Sequence, residues 1–243
     1  MQPSPVIGDA LGEALLDALS GGEGRHFVER DDGLLETMDA SRYFSEPRSW
    51  PNSELRAMES LEGRVLDIGA GAGRHSLMLQ NHGCEPMALD SSPGAIDVCR
   101  RRGVEWTFKG TVQDLLEFPV EPFDAITLMG NNLALLQSEA KATGLFRAMA
   151  SVLKPGGVVV GTCLDPHRTD DPDHLSYHEA NRSAGRPAGQ IRMRFRYQRI
   201  TSPWLRILLL SPDELCKLAA RNGWEVLDVT RPSPNYLAAL RPL

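Results

Sequence analysis

Apolar positions in this chain keep one period at the start, change it at residue 64 and change it again after 165. Leu11, Ala14, Leu15, Ala18 and Leu19 recur at the three-and-four spacing of one helix face, and Gly21-Gly22 ends that helix. Glu29-Arg30-Asp31-Asp32-Gly33 reads as a turn, Tyr43-Phe44 is an aromatic pair, and Pro47 and Pro51 break the stretch after it. Ser53 is placed to cap a short helix before the first strand. From 64 onward short apolar runs alternate with amphipathic stretches. Strand 64–68 precedes helix 73–82, which Gly83 ends. Strand 86–90 leads into Ser92-Pro93, a cap and first-turn pair, and a helix to about Arg102 closed by Gly103. Residues 104–109 and the nearly continuous apolar run 123–129 read as further strands. Helix 138–152 carries Leu145, Met149 and Val152 on one face, and Lys154-Pro155-Gly156-Gly157 turns into strand 158–160. Such alternation predicts a parallel sheet covered by helices and wound right-handed.

Residues 165–203 break the rhythm. They are rich in Pro, His, Asp and Arg, until Ile191, Met193, Phe195 and Tyr197 alternate with Arg192, Arg194, Arg196 and Gln198. Alternation of that kind marks a half-buried strand with a charged outer face. Ser211-Pro212-Asp213-Glu214 is a capping box with proline at the first helical position, and its helix runs to Asn222-Gly223. Residues 224–230 and 236–240 close the chain as strands.

The length of 243 residues, 42% hydrophobic and 24% charged, suits one globular domain with a small appendage. A net charge of −6 argues against a nucleic-acid binder held by phosphate contacts. Cys84, Cys99, Cys163 and Cys216 form no C-x-x-C pair, so they read as reduced thiols. With neither a secretory signal nor a bilayer-spanning apolar run, the expected location is cytoplasmic.

The chemistry concentrates where the first parallel strand ends. Val65-Leu66 leads to the acid Asp67, and glycines stand at 69, 71 and 73 before a helix. Glycines let the backbone turn sharply and approach a ligand closely, and the helix N-terminus offers free N–H groups. The dinucleotide fingerprint G-x-G-x-x-G would need glycine where Arg74 stands. Asp90 ends the second strand, where a carboxylate can accept from both hydroxyls of a ribose. That acid serves an adenosyl and a nicotinamide cofactor equally.

The G-x-G-x-G turn with Asp67 two residues ahead resembles motif I of the class I S-adenosylmethionine-dependent methyltransferases. Three further segments resemble the family in order: Gly110-Thr111-Val112-Gln113-Asp114, the run Phe123-Asp124-Ala125-Ile126 to Asn131-Asn132, and Leu153-Lys154-Pro155-Gly156-Gly157. Together they cover 64–164. The resemblance implies an α/β fold with a Rossmann-like, doubly wound seven-stranded sheet and an antiparallel C-terminal strand. The residue pattern reads as a helical cap or lid at 1–60 and a substrate-side insertion at 165–203 after the fifth strand, with the methyltransferase domain expected at 61–243. The resemblance further implies S-adenosylmethionine as cofactor and S-adenosylhomocysteine as product. Asp67 would organise the loop or meet the cofactor's ammonium, with Gly69, Ala70, Gly71, Gly73 and Arg74 around the methionine and ribose. Asp90 and Ser91 would meet the ribose, and the Val112 backbone the adenine ring. The family often has Asp where this chain has Thr111, so the adenine amino group falls to Thr111, Gln113 or Asp114. Met129, Gly130 and Asn131 would stand beside the transferable methyl.

The acceptor is not named by the fold. Asn132 can donate to and accept from it, and Tyr43 and Phe44 read either as core or as an aromatic cover for a sulfonium. His174, Tyr177 and Arg182 are candidate contacts from the insertion, with His167 or His178 as a general base. His174 and His178 share a helical face without a metal motif, and no metal is expected. The arginines of 182–196 suit an anionic acceptor or a solvated strand face. The expected activity is methyl transfer to a small molecule by a monomer or homodimer, without membrane contact. An Asn/Asp-Pro-Pro-Tyr/Phe sequence is absent after Met129, which argues against DNA methylation. The alternatives are an NAD-dependent oxidoreductase, a non-catalytic cofactor-binding regulatory subunit and, more remotely, a protein or RNA methyltransferase.

Overall fold

The computed structural model describes residues 6–118, 120–231 and 235–243. In chain order the elements are β1 (Val6–Ile7), α1 (Ala10–Leu19), β2 (His26–Arg30), β3 (Leu35–Met38), α2 (Asn52–Glu59), β4 (Arg64–Ile68) and α3 (Arg74–Asn81). Then come β5 (Glu85–Asp90), α4 (Pro93–Arg101), β6 (Trp106–Lys109), α5 (Val112–Leu115), β7 (Phe123–Leu128), α6 (Glu139–Val152) and β8 (Leu153–Leu164). The chain finishes with α7 (Pro172–Ser183), β9 (Gln190–Tyr197), β10 (Ile200–Thr201), β11 (Leu205–Leu208), α8 (Pro212–Arg221), β12 (Trp224–Thr230) and β13 (Asn235–Pro242). Short 3₁₀ turns cover Ala40–Phe44, Pro47–Ser49 and Asn132–Leu136.

The main sheet has seven strands in the order β12-β13-β8-β7-β4-β5-β6. β4 to β8 are mutually parallel, and β13 runs antiparallel between β8 and β12. Val65, Leu66, Ile126 and Leu128 are fully buried because helices cover both faces. Each such side chain withdrawn from water contributes about 1.5–3 kcal/mol. The parallel strands all end at one edge of the sheet, and their exit loops meet there.

Local sequence sets the helix starts. Ser92 Oγ accepts from the Ala95 N–H, Ser138 Oγ from Lys141, and Ser211 with Glu214 closes a reciprocal capping box. Ser53 does not cap: α2 begins at Asn52 behind Pro51, and Ser53 Oγ lies buried without a partner among the described residues. Proline at the cap position fixes the entry, which leaves Ser53 inside the first turn. Lys154-Pro155-Gly156-Gly157 is a bulge within β8 and not a turn before it, since the pairing shifts from Phe123↔Leu153 to Ala125↔Val158.

The largest departure from the sequence reading is a second sheet, in the order β1-β10-β9-β2-β3 with β11 also on β9. The helical cap expected at 1–60 is only partly helical: β2 and β3 form a hairpin around Asp31–Leu34, and β2 pairs with β9 of the insertion. One face of this sheet turns toward α1, where Phe195, Tyr197 and Ile200 pack on Ala10 and Ala14. α1 in turn packs on α4: a Cβ at Gly94 would lie 2.6 Å from the Gly12 backbone. The second sheet is thereby laid across the loop edge of the first.

Candidate functional site

The glycine turn is held from three sides. Gly69, Gly71 and Gly73 adopt φ of 73°, 56° and 74°, values that L side chains rarely take. The Gly69 N–H donates to Leu89 O at 2.8 Å, and the Gly71 N–H donates to Asp90 Oδ2 at 2.9 Å. Asp90 Oδ1 accepts from the Ser92 N–H at 2.9 Å. Burial pushes the Asp90 carboxyl above its ordinary value, although both backbone donors pull it down. Ser91 beside it is exposed. Asn132 Nδ2 donates to Ile68 O at 3.0 Å and to Gly69 O at 2.9 Å, which pins the turn from the exit of β7.

Asp67 faces inward. It is 1% exposed, accepts from Ser76 Oγ at 2.7 Å and from Thr127 Oγ1 at 2.9 Å, and so ties β4 to α3 and β7. Of the two roles open to it from sequence, these bonds support loop organisation. Ala70 is buried in a small cluster with Ala88, Cys99 and Val104. Arg74 opens α3 and turns away from solvent: it donates to Ser45 Oγ at 2.9 Å, pairs with Glu54 at 3.0 Å and lies 5.0 Å over Trp50. His75 Nε2 reaches the same Glu54 oxygen at 2.8 Å. Burial alone would raise the Glu54 carboxyl, but His75 and Arg74 outweigh it and hold the group below its ordinary value.

Tyr43 comes down on the turn, so close that a Cβ at Gly71 would meet its Cδ1 at 3.0 Å. Phe44 does not join it. Its ring takes Arg102 at 5.0 Å and packs with Leu15, Val98 and Ala95. Thr111 is the cap of α5: its Oγ1 donates to Asp114 Oδ2 at 2.7 Å, and its N–H donates to the same oxygen at 2.7 Å. Thr111 and Asp114 thus satisfy each other, and Val112 is buried behind them.

At the exit of β7, Met129 is buried and Gly130 has φ 68° with open space where a Cβ would stand. Asn131 is left-handed at φ 72°, and its N–H donates to Thr162 Oγ1 at 2.9 Å. Asn131 Oδ1 is buried with no partner among the described residues. Gly130 is exposed, so the open space beside this unsatisfied acceptor faces solvent.

The insertion distributes its candidates unevenly. Tyr177 is occupied: its hydroxyl donates to Asp31 Oδ1 at 2.7 Å, and its ring lies under Arg30 at 4.3 Å. Arg182 pairs with Glu179 on the surface. His167 is exposed and paired with Glu214 at 3.3 Å. His174 Nδ1 lies 3.4 Å from Thr169 Oγ1. His178 is buried; burial, together with the charges of neighbouring histidines and arginines, lowers its pKa and keeps the ring neutral at pH 7. Among the described residues no three His, Cys, Asp or Glu side chains gather as metal ligands. The arginines of β9 point outward. Arg194 and Arg196 pair with Glu29, Arg192 lies 3.9 Å from Asp31, and Arg192 and Arg194 stack on Trp204. They form the charged outer face of the second sheet.

His26 was missed from sequence. It is fully buried in β2, with ring centroids 6.1 Å from both Tyr43 and Phe195. The available signal was Asp32-Gly33 between Phe27-Val28 and Leu34-Leu35, a hairpin pattern that would have put His26 on a strand. An open surface depression bounded by Ser138, Glu139, Arg186 and Gln190 includes none of the predicted site residues.

A family model described as a methyltransferase domain matches residues 65–157. A cypemycin N-terminal methyltransferase of Streptomyces sp is 28% identical over 138 residues, 56% of each chain. A ubiquinone biosynthesis O-methyltransferase of Xanthomonas axonopodis pv. citri is 34% identical over 105 residues, 41% of this chain and 42% of that one. The chain thus spans about half the length of the curated relatives it matches. A Bacteroides fragilis S-adenosylmethionine-dependent methyltransferase, solved with S-adenosyl-L-homocysteine, superposes with TM-score 0.82 at 26% identity, covering 96% of this chain and 94% of that one.

Proposed function

Since the chain belongs to the class I S-adenosylmethionine-dependent methyltransferases, we propose that it moves a methyl group from S-adenosylmethionine to a small-molecule acceptor. The observation that carries this is the clasp of Asp90 on the Gly71 N–H, which sets an acid and a Cβ-free turn together at the ends of two parallel strands. The open space at Gly130 beside the unpaired Asn131 Oδ1 fits a polar ligand at the neighbouring strand exit.

In this reading the backbone of the turn lines the cofactor, the missing Cβ atoms of Gly69, Gly71 and Gly73 making way for Asn132, Tyr43 and Val104, while Asp90 takes the ribose hydroxyls, the Val112 N–H meets the adenine, and Asn131 faces the methionine end. Asp67 acts from behind, by fixing the turn through Ser76 and Thr127. Arg74 couples the turn to the cap through Ser45, Glu54 and Trp50. Tyr43 excludes water over the turn, and its ring face suits a cation. S-adenosylmethionine supplies an electrophilic methyl whose transfer disperses charge. The protein's share is therefore positioning, which supplies several kcal/mol, up to about 7–11 in ideal cases. The second sheet and α7 form the acceptor side, as a lid of residues 1–60 and 165–203. Arg194 and Arg196 are engaged by Glu29, so an anionic acceptor draws no support from those two. No helix among the described residues is long and apolar enough to cross a membrane.

The test is incubation with methyl-labelled S-adenosylmethionine and pools of small metabolites. Label in a small acceptor, matched by S-adenosylhomocysteine release, supports the reading. Tight cofactor binding with no transfer to any pool would favour a regulatory subunit, and label only in added protein or RNA would move the acceptor class.

A further inference from the structure

The N-terminal segment reaches the loop that carries Asp90 through one carboxylate. Asp9 follows β1, which pairs with β10 of the second sheet, and it opens α1 by accepting from the Gly12 N–H at 3.0 Å through Oδ1. Its other oxygen serves α4 instead. Asp9 Oδ2 accepts from Ser92 Oγ at 2.7 Å and from the Gly94 N–H at 2.8 Å. Ser92 is 83 positions away in the chain, so this is a bond of the tertiary fold. Two glycines clear the space for it. A Cβ at Gly12 would lie 2.1 Å from Asp9 Oδ2 and 2.7 Å from Ser92 Oγ, and one at Gly94 would lie 2.6 Å from the Gly12 backbone.

Ser92 joins this bridge to Asp90. Its hydroxyl accepts from the Ala95 N–H at 3.0 Å and donates to Asp9, which fixes its rotamer. Its own N–H donates to Asp90 Oδ1, while the Gly71 N–H holds Asp90 Oδ2. Each Asp90 oxygen thus carries one backbone donor and keeps a second lone pair, whose direction depends on where Ser92 and Gly71 stand. Charge does not account for the arrangement. Burial is the main cause that raises the Asp90 carboxyl, and the negative charge of Asp9 raises it further. A second acid there opposes the ionised form of Asp90, so what Asp9 contributes is geometry.

We propose that Asp9 is a positioning residue for the cofactor: through Ser92 it sets the Asp90 carboxylate that takes the ribose hydroxyls, and so couples the docking of α1 on α4 to cofactor binding. The inference rests on the methyltransferase reading. The coupling is reciprocal: if docked α1 raises cofactor affinity, bound cofactor holds α1 on α4 more tightly by the same factor.

Calorimetry with S-adenosylhomocysteine and amide hydrogen exchange test it. Asp9→Ala should weaken binding about tenfold, and Asp9→Asn, which removes the charge but keeps one acceptor oxygen, should weaken it less. Relief of charge alone would run the other way and tighten binding in both. Ser92→Ala should lose about as much affinity as Asp9→Ala, and the double variant no more than either, because both break one chain of bonds. Gly12→Ala removes no polar group and improves the helix propensity of α1, yet its methyl displaces the Asp9 carboxylate. It should weaken binding severalfold while the melting temperature holds within a few degrees. In the wild type the ligand should slow exchange of the Gly12 and Gly94 amides, both donors to Asp9, by about tenfold, and Ser92→Ala should abolish that slowing. Wild-type affinity in Asp9→Ala or Gly12→Ala, additive losses in the double variant, or exchange at Gly12 indifferent to the ligand would overturn the proposal. A wild type that binds no S-adenosylhomocysteine would instead remove the methyltransferase reading beneath it.

Discussion

Tyr43 rests on Gly71, whose φ of 56° and missing Cβ let the ring approach the turn: a Cβ there would come within 3.0 Å of Tyr43 Cδ1. Gly71→Ala therefore meets two penalties, a left-handed backbone costing about 1–2 kcal/mol and a displaced ring. Calorimetry should show cofactor affinity reduced at least about tenfold, while the melting temperature falls only a few degrees. Wild-type affinity in Gly71→Ala would mean that Tyr43 and the turn do not enclose the cofactor.

Asp67 separates support from contact. Removing it strands Ser76 Oγ and Thr127 Oγ1 in a buried place. Asp67→Ala should cost about 2–5 kcal/mol in denaturant unfolding. Asp67→Asn keeps one acceptor oxygen, and a hydroxyl can rotate to accept from its NH₂. That variant should lose less stability and bind the cofactor within severalfold of wild type. A large affinity loss in a stable Asp67→Asn would instead put its carboxylate on the cofactor.

The buried histidines give the fold a pH dependence of definite sign. Burial is the main cause that lowers the pKa of both His26 and His178 from 6.5. Below that value the unfolded chain binds protons that the folded chain refuses, so stability rises with pH across the window and falls as pH drops through it. Melting temperature should decline from pH 7.5 to 5.5, and less steeply in His26→Phe. An unchanged slope in that variant would show that His26 is not held neutral.

Arg194 tests the orientation of the second sheet. It makes a bidentate pair with Glu29 at 2.7 and 3.0 Å on the outward face. Arg194→Ala should cost about 1 kcal/mol or less, since the pair is partly open to solvent. Steady-state turnover with an accepted substrate should not change. A selective rise in KM would place this arginine at the acceptor.

The main sheet was legible because parallel strands covered on both faces read as apolar runs, as in Phe123–Leu128, and because glycine and serine mark the turns between them. The second sheet was not. Its strands are short and half-exposed, and β2 reads His-Phe-Val-Glu-Arg with an exposed Phe27. Its register depends on pairing 26–30 with 190–197, and the Glu29–Arg194 bond spans 165 positions. Periodicity reports a local face and says nothing about so distant a partner. For the same reason the charged side of β9 was visible as alternation, while its orientation away from the glycine turn was not. His26 stood out from neither pattern nor motif: what distinguishes it is the carbonyl of Gly24, a contact made only once β2 is folded.

The cofactor site is tested most directly by calorimetric titration of the wild type and of Asp90→Ala with S-adenosylmethionine, S-adenosylhomocysteine and NAD. Both adenosyl ligands should bind the wild type at micromolar concentration and NAD should not, with affinity lost by at least about tenfold in Asp90→Ala because charge-assisted bonds to the ribose disappear. NAD binding by the wild type, or adenosyl affinity that survives the loss of Asp90, would contradict this assignment of the site.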